Sequence, residues 1–206
     1  MTKKEFYHWQ TTGGTNDVMR FVDALENADI LWCTIDGIAV NHWAAEQMVT
    51  LYVDFVVAAD SIEKAEISLV NAGFKAQQFE WSITFKGPSE VAIQLTTEET
   101  YRDFASRGVP ADVHGILLRV ASLEDTLTGK MRAWSDPKRR QSKRIKDLAD
   151  IARLVESHPH LWDKLTAELK PQIDQPAGFF FAIRLRDFRP GMSQFPSIRK
   201  PYPKHP

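Results

Sequence analysis

One acidic side chain stands inside an apolar run of the sequence. Asp54 is flanked by Val53, Phe55, Val56 and Val57. An ionised carboxylate is costly to bury among such neighbours without a partner. We therefore expect Asp54 either to point away from the apolar face or to meet a cation or a metal ion, which makes it the first candidate for a catalytic or metal-binding residue.

The segments around Asp54 are predicted to form a strand, a tight loop, a short helix and a second strand. Residues 30–35 are a β-branched and aromatic run, long enough for a strand and too short for a globular helix. Asp36-Gly37 breaks this run, and a helix of two turns that includes residues 38–45 is predicted to start at this break. Residues 50–58 return to strand. Any chemistry is expected within residues 30–60.

The rest of the chain predicts further helices and strands. A helix between two strands implies a crossover, which favours a parallel or mixed sheet. We therefore predict an α+β fold, a mixed β-sheet flanked by helices, with a C-terminal helical extension and an irregular tail. The predicted helices lie at residues 17–27, 61–71, 97–106, 122–154 (with a basic connection at 136–144) and 159–169, and the further strands at 74–79, 82–86, 91–95 and 115–120.

Two segments of the central stretch carry a resemblance to a known family. The segments are DGIAVNHW at residues 36–43 and TLYVDFVV at residues 50–57. They are similar to the small bacterial nucleotidyltransferases grouped with the AbiEii toxins. The typical sequence motifs of that family are close to Gly-Gly-Ile-Ala-Val-Asn-His-Trp and Thr-x-Asp-Val-Asp-Leu-Val-Val. The resemblance implies a nucleotidyltransferase-like fold, with Asp36, Gly37 and Thr50 at nucleotide-binding positions and Asp54 as a catalytic metal ligand.

The sequence departs from the family pattern at positions to which the resemblance assigns nucleotide binding and metal binding. Asp36 stands for the first family glycine, where a carboxylate opposes phosphates at a helix start. Tyr52 stands for the first of two aspartates, and tyrosine is a poor ligand for magnesium at neutral pH. A two-ion phosphoryl transfer needs paired carboxylates, although Asp36 is able in principle to supply the oxygen that Tyr52 lacks. A later family carboxylate is replaced by the amide of Gln94, which cannot act as a base.

A second matching segment runs from residue 121 to residue 154. It retains a helical lysine, Lys130, and the carboxylates Asp147 and Asp150. The resemblance implies that Lys130 contacts the triphosphate and that Asp147 helps to order the site, so both are candidate catalytic residues and Lys130 is also a candidate nucleotide-binding residue. Taken alone, Lys130 is equally an exposed helix charge, and Asp147 a helical partner of Lys143 or Lys146.

Composition and charge limit the class of protein. The 206 residues are 43% hydrophobic and 26% charged, with a net charge of −1, and no run is apolar enough for a membrane span. The N-terminus lacks an apolar signal region, so we expect a cytoplasmic protein without a membrane partner. Residues 130–153 carry a net charge of +6 and residues 174–206 carry +4. This asymmetry favours a nucleotide or RNA partner bound through residues 130–153.

Three parts are expected along the chain: an α/β core at residues 1–121, a helical part packed on it at 122–173, and a tail at 174–206. The tail is rich in proline and aromatic residues, and either wraps over its own domain or docks a protein partner or a second copy. The favoured function is a catalytically impaired nucleotidyltransferase-fold protein that binds nucleotide, RNA or protein. The alternatives are an active enzyme using Mg²⁺ and a nucleoside triphosphate, and an interaction subunit without a cofactor.

Overall fold

A single mixed sheet forms the centre of the structure, a computed structural model that describes residues 14–48, 50, 52–89, 91–113 and 115–173. Its strands are β1 (Trp32–Ile35), β2 (Tyr52–Val57), β3 (Lys75–Gln78), β4 (Ser82–Lys86), β5 (Ala92–Thr96), β6 (Val109–Val113) and β7 (Ile116–Val120). Their order across the sheet is β3-β4-β5-β2-β1-β7-β6. β2 runs parallel to β5 and β1 parallel to β7, whereas the other neighbouring pairs are antiparallel. The predicted α+β fold with a mixed sheet is confirmed.

Six α-helices accompany the sheet in the described part of the chain. They are α1 (Gly14–Asn27), α2 (Asp36–Trp43), α3 (Ile62–Asn71), α4 (Phe104–Arg107), α5 (Leu123–Ser135) and α6 (Gln141–Ser157). Short 3-10 helices lie at Ala59–Ser61, Glu99–Tyr101, Pro159–Lys164 and Lys170–Gln172. The Ser122 side chain caps α5 by accepting a hydrogen bond from the Asp125 amide at 3.1 Å.

The second helix begins at Asp36, at the predicted break, so the break after β1 is already the first turn of α2. Two other details of the predicted elements are wrong. The predicted helix at residues 97–106 is a 3-10 turn followed by the single turn of α4. β6 was not predicted because Pro110 and Asp112 argue against a strand. It is an edge strand, where proline is tolerated.

Two hydrophobic clusters stabilise the fold. The first joins the sheet to α1 and α3, with Phe21, Phe55 and Phe85 fully buried at its centre. The ring centroids of Phe21 and Phe55 are 4.6 Å apart, and those of Phe21 and Phe85 are 5.5 Å apart. The second cluster joins α2 to α5, α6 and the segment that ends at Ile173. α2 therefore contributes to both clusters, which fixes the turn that precedes it.

Among the described helices, none is long and apolar enough to cross a membrane. The predicted tail at residues 174–206 lies outside the described residues, as do residues 1–13. The proposed division into three parts stays a prediction.

Candidate functional site

A cleft of about 480 Å³ lies over one face of the sheet, between β2, β5 and α5. The register of the strands sets its floor. Asp54 on β2 pairs with Gln94 on β5, and Gln94 pairs with Thr84 on β4, so the three polar side chains form one row. Gln94 Nε2 donates to Thr84 Oγ1 at 3.3 Å. Residues from strands far apart in the sequence therefore meet in one polar row.

Three of the six predicted site residues meet in this cleft. Asp36, Asp54 and Lys130 line it, together with Tyr52 and Gln94, which stand at family carboxylate positions. Asp147 lies behind Lys130, is 1% exposed and does not line the cleft. The assignment of catalytic and binding roles to these residues stays a prediction.

Asp54 is the acidic residue on β2 that faces the cleft. It is partly buried, and burial raises its pKa to about 6, while the nearby cations Lys143, Lys146 and Arg139 act in the opposite direction. Asp54 thus lines the cleft and points away from the apolar core, one of the two outcomes expected from its apolar surroundings.

Tyr52 projects into the position next to Asp54 on the same face of β2, two residues away. It is 41% exposed, and the Lys143 Nζ atom lies 6.0 Å from the centre of its ring. An ammonium over a tyrosine ring is a favourable cation–π contact. Where the resemblance expects a second carboxylate, the cleft therefore has an aromatic ring beside a lysine.

Asp36 adopts a backbone conformation that favours glycine. Its φ is +52°, in the left-handed region. The residue at this point must reverse the chain between β1 and α2, which explains why a family with this turn carries glycine there. Here the carboxylate of Asp36 accepts a hydrogen bond from Lys130 Nζ.

Gly37 follows in a position that leaves no room for a side chain. A Cβ atom there would lie 2.6 Å from Oγ1 and 2.9 Å from Cβ of Thr50. The Thr50 hydroxyl donates to the carbonyl of Tyr52 at 3.0 Å. Gly37 and Thr50 therefore pack the start of α2 against the start of β2 and do not line the cleft.

Lys130 is the most enclosed cation of the site. It is 3% exposed, and its Nζ atom bonds to Asp36, to Asp147 Oδ1 at 3.1 Å and to Asp150 Oδ2 at 2.8 Å. Burial lowers the pKa of the Lys130 ammonium, and the charges of Asp150 and Asp147 oppose this change. Its ammonium is thus held by carboxylates from α2 and α6.

The two carboxylates on α6 have further cationic partners. Arg139 Nε lies 2.6 Å from Asp147 Oδ2, and Lys146 Nζ lies 3.0 Å from Asp150 Oδ2. Burial raises the pKa of Asp150, but Lys130 and Lys146 together outweigh burial and hold this pKa below its usual range. Much of the positive charge of residues 130–153 is therefore paired inside the protein.

The sequence matches one family over most of its length. The family described as "Nucleotidyl transferase AbiEii toxin, Type IV TA system" matches residues 39–194. The chain belongs to the AbiEii family. No curated protein matches this AbiEii-family sequence.

Solved structures agree with the fold of this AbiEii-family chain. An antigenic nucleotidyltransferase-like protein from Paracoccidioides brasiliensis is 16% identical with a TM-score of 0.50, covering 83% of this chain and 88% of that one. At this identity the match shows the fold alone, and it confirms the nucleotidyltransferase-like prediction. The antibiotic-resistance factor ANT(2'')-Ia (12% identical, TM-score 0.49, 85% and 96% covered) and the lincosamide antibiotic adenylyltransferase LnuA (11%, 0.47, 68% and 96%) are also similar.

Nucleotidyltransferases usually act on a nucleoside triphosphate with Mg²⁺. A two-ion centre needs carboxylates that bridge both ions. Asp36, Asp147 and Asp150 of this AbiEii-family chain have oxygens within 4.8 Å of one another. However, the Lys130 ammonium bonds to all three carboxylates, and Arg139, Lys146 and Arg153 pair with Asp147 or Asp150. Within the described ranges, Asp54 has no carboxylate beside it on β2, so the residues do not fit a two-ion centre.

Two features of the AbiEii-family site were missed by the sequence analysis. Trp81 lines the cleft and is 60% exposed. The sequence signal that could have indicated Trp81 was the presence of an aromatic residue in the turn between two predicted strands. Arg153 on α6 donates to Asn41 Oδ1 at 2.9 Å and to Asp150 Oδ1 at 2.9 Å, tying α2 to α6. This link depends on residues 112 positions apart in the chain, so no local pattern indicates it.

Proposed function

We propose that this AbiEii-family protein binds a nucleotide in the cleft and does not catalyse magnesium-dependent nucleotidyl transfer. The observation that carries this proposal is the side-chain set of the cleft, in which Tyr52 stands beside Asp54 while Arg139 and Lys143 line the same space. A nucleotide needs cations for its phosphates and an apolar surface for its base. Both are present, whereas Asp54 is the one carboxylate on β2 and the carboxylate of Asp36 is bonded to Lys130.

The size and charge of the cleft support a small anionic ligand. A volume of about 480 Å³ is within the range of small-molecule sites. Lys143 has no carboxylate within salt-bridge distance in the described part of the chain, whereas Arg139 is shared with Asp147. Lys143 is therefore the cation with the greatest freedom to contact a phosphate group. RNA bound through residues 130–153, and a protein partner bound through the tail, remain further proposals.

The proposal is tested by titration calorimetry of the full chain with ATP, GTP, CTP and UTP, first in EDTA and then with Mg²⁺. We expect binding that does not require Mg²⁺. Lys143→Ala should weaken it about fivefold, the equivalent of about 1 kcal/mol for one partly solvated charge contact. Lys64→Ala, which removes an exposed lysine on α3, is the matched control and should leave affinity unchanged.

A second assay addresses the transfer reaction. The native chain should not move a radiolabelled nucleoside monophosphate from its triphosphate to RNA or protein in Mg²⁺, whereas Tyr52→Asp should increase Mg²⁺ binding by restoring the carboxylate pair. Mg²⁺-dependent transfer by the native chain would overturn the proposal and identify an active enzyme. Absence of nucleotide binding in EDTA and in Mg²⁺ would overturn it as well.

A further inference from the structure

The cleft has two chemically different ends. β2 and β5 run parallel, with Tyr52 opposite Ala92 at their starts and Thr96 at the end of β5. Ser82 on β4 pairs with Thr96, so Trp81, which precedes Ser82, lies beyond that end. Thr96 lies four residue steps beyond Ala92 on β5, which corresponds to about 13 Å along a strand. Tyr52 and Trp81 therefore mark opposite ends of the cleft.

Charge differs between these ends. The Tyr52 end carries Lys143, whose Nζ atom lies 6.0 Å from the Tyr52 ring, and Arg139, which together act on Asp54, while Asp36 is bonded to Lys130. The Trp81 end carries Glu98, which lines the cleft. Glu98 follows Thr97, whose backbone amide donates a hydrogen bond to the Trp81 carbonyl. Phosphates are favoured near the lysine and disfavoured near the glutamate. The direction of an elongated anion in the cleft is thus set by the protein.

Trp81 is held in place by its backbone while its ring stays exposed. Its carbonyl accepts from the Thr97 amide at 3.0 Å and from Thr96 Oγ1 at 3.3 Å. These bonds fix the turn between β3 and β4 to the end of β5. An indole that is 60% exposed on a fixed turn at a polar cleft is a surface on which a planar ring can stack.

We propose that Trp81 is the base-stacking residue of the cleft, and that it selects purine nucleotides bound with their phosphates toward Lys143. This inference rests on the proposed function, because it assigns the two halves of the same ligand to the two ends of the same site. The separation of about 13 Å suits a nucleoside with two or three phosphates, whose charged and aromatic parts lie at opposite ends. Purines present the larger ring surface and stack more strongly than pyrimidines.

The test compares ligands and variants of the full chain in EDTA by titration calorimetry. The ligands are ATP, GTP, CTP, UTP and inorganic tripolyphosphate, which has the phosphates but no base. We expect the purine nucleotides to bind more tightly than the pyrimidine nucleotides and tripolyphosphate. Trp81→Ala should weaken purine nucleotide binding roughly 5- to 100-fold, the range for loss of one base–aromatic stack, and leave tripolyphosphate affinity unchanged.

Two further variants separate stacking from structure. Trp81→Phe retains an aromatic face and should recover most of the purine affinity. Phe79→Ala removes an exposed aromatic side chain of the same turn that does not line the cleft, and should leave all affinities unchanged. Equal binding of purine nucleotides by Trp81→Ala and the native chain would overturn the inference but leave the proposed function standing. If neither tripolyphosphate nor any nucleotide binds the native chain, the proposed function fails with it.

Discussion

Lys130→Met is the substitution that tests most directly how the site is held together. Methionine has nearly the length of lysine and no charge, so the variant removes the ammonium and keeps most of the volume. Three carboxylates would then face one another without their shared cation: those of Asp36, Asp147 and Asp150. We therefore expect a large loss of stability.

The size of this loss follows from the partners that remain. Removing one member of a buried ion pair costs about 3 to 5 kcal/mol. Asp147 would retain Arg139, and Asp150 would retain Lys146 and Arg153 at 2.9 Å. These remaining contacts favour the lower end of the range, about 3 kcal/mol. For a chain of this length that corresponds to a fall of roughly 6 to 12 °C in Tm.

The pH dependence distinguishes lost electrostatics from lost packing. The lowered pKa of Asp150 stabilises the native chain above its unfolded pKa of about 3.9, and this contribution is lost as the pH falls through the folded pKa. Without Lys130 the pKa of Asp150 rises, so the variant regains stability relative to the native chain when its carboxylates take up protons. The difference in unfolding free energy should therefore be largest near pH 7 and shrink toward pH 4.

The assay is urea unfolding at pH 7 and at pH 4, with Lys146→Met as the matched control. Lys146 also contacts Asp150, but its side chain is 36% exposed and the contact is an i,i+4 pair, so its loss should cost less than about 1 kcal/mol. A loss below about 1 kcal/mol for Lys130→Met, or a loss equal at the two pH values, would refute the reasoning. Lys130 would then be free to contact a phosphate, as the resemblance implies.

Three further predictions concern the floor and the turn of the cleft. Because burial raises the pKa of Asp54 to about 6, native stability falls as the pH rises from about 4 to 6. Asp54→Asn should be about 1 to 3 kcal/mol more stable than the native chain at pH 8 and equal to it at pH 4 in urea titrations. Asp36→Gly should be about 1 kcal/mol more stable than Asp36→Ala, since both lack the carboxylate and glycine better tolerates a φ of +52°. Equal melting temperatures for those two variants would contradict it. Gly37→Ala should lose about 1 to 3 kcal/mol by collision with Thr50, and Thr50→Gly in the same chain should restore part of that loss in thermal unfolding.

The sequence predicted the central stretch of the fold because its signals are local. The β-branched run before Asp36 and the apolar residues around Asp54 indicate strands by composition alone. Their neighbours across the sheet could not be derived in this way. The row formed by Asp54, Gln94 and Thr84 depends on a parallel pairing over 40 residues of chain. Local patterns carry no information about that register.

The candidate site was predicted in part. The departures at Asp36 and Tyr52 were visible in the sequence, and both residues line the cleft with Asp54 and Lys130. The bond between Asp36 and Lys130 was not foreseen, because it joins residues 94 positions apart. The partners of the basic side chains in residues 130–153 were not foreseen either. Arg139 and other cations of that segment pair with buried carboxylates, which a count of charges cannot reveal.

The two departures from the family pattern both leave the cleft with fewer carboxylates that are free to bind a metal ion. Tyr52 removes a carboxylate that would hold a metal ion, and the carboxylate that Asp36 adds is bonded to Lys130. Asp54 therefore faces the cations of the cleft without a second free acid beside it on β2. In a site with paired acids, metal ions supply the positive charge that phosphates require. Under the proposed function Lys143 supplies it directly, and the loss of the acid pair is then expected to weaken metal binding without removing the attraction for phosphate.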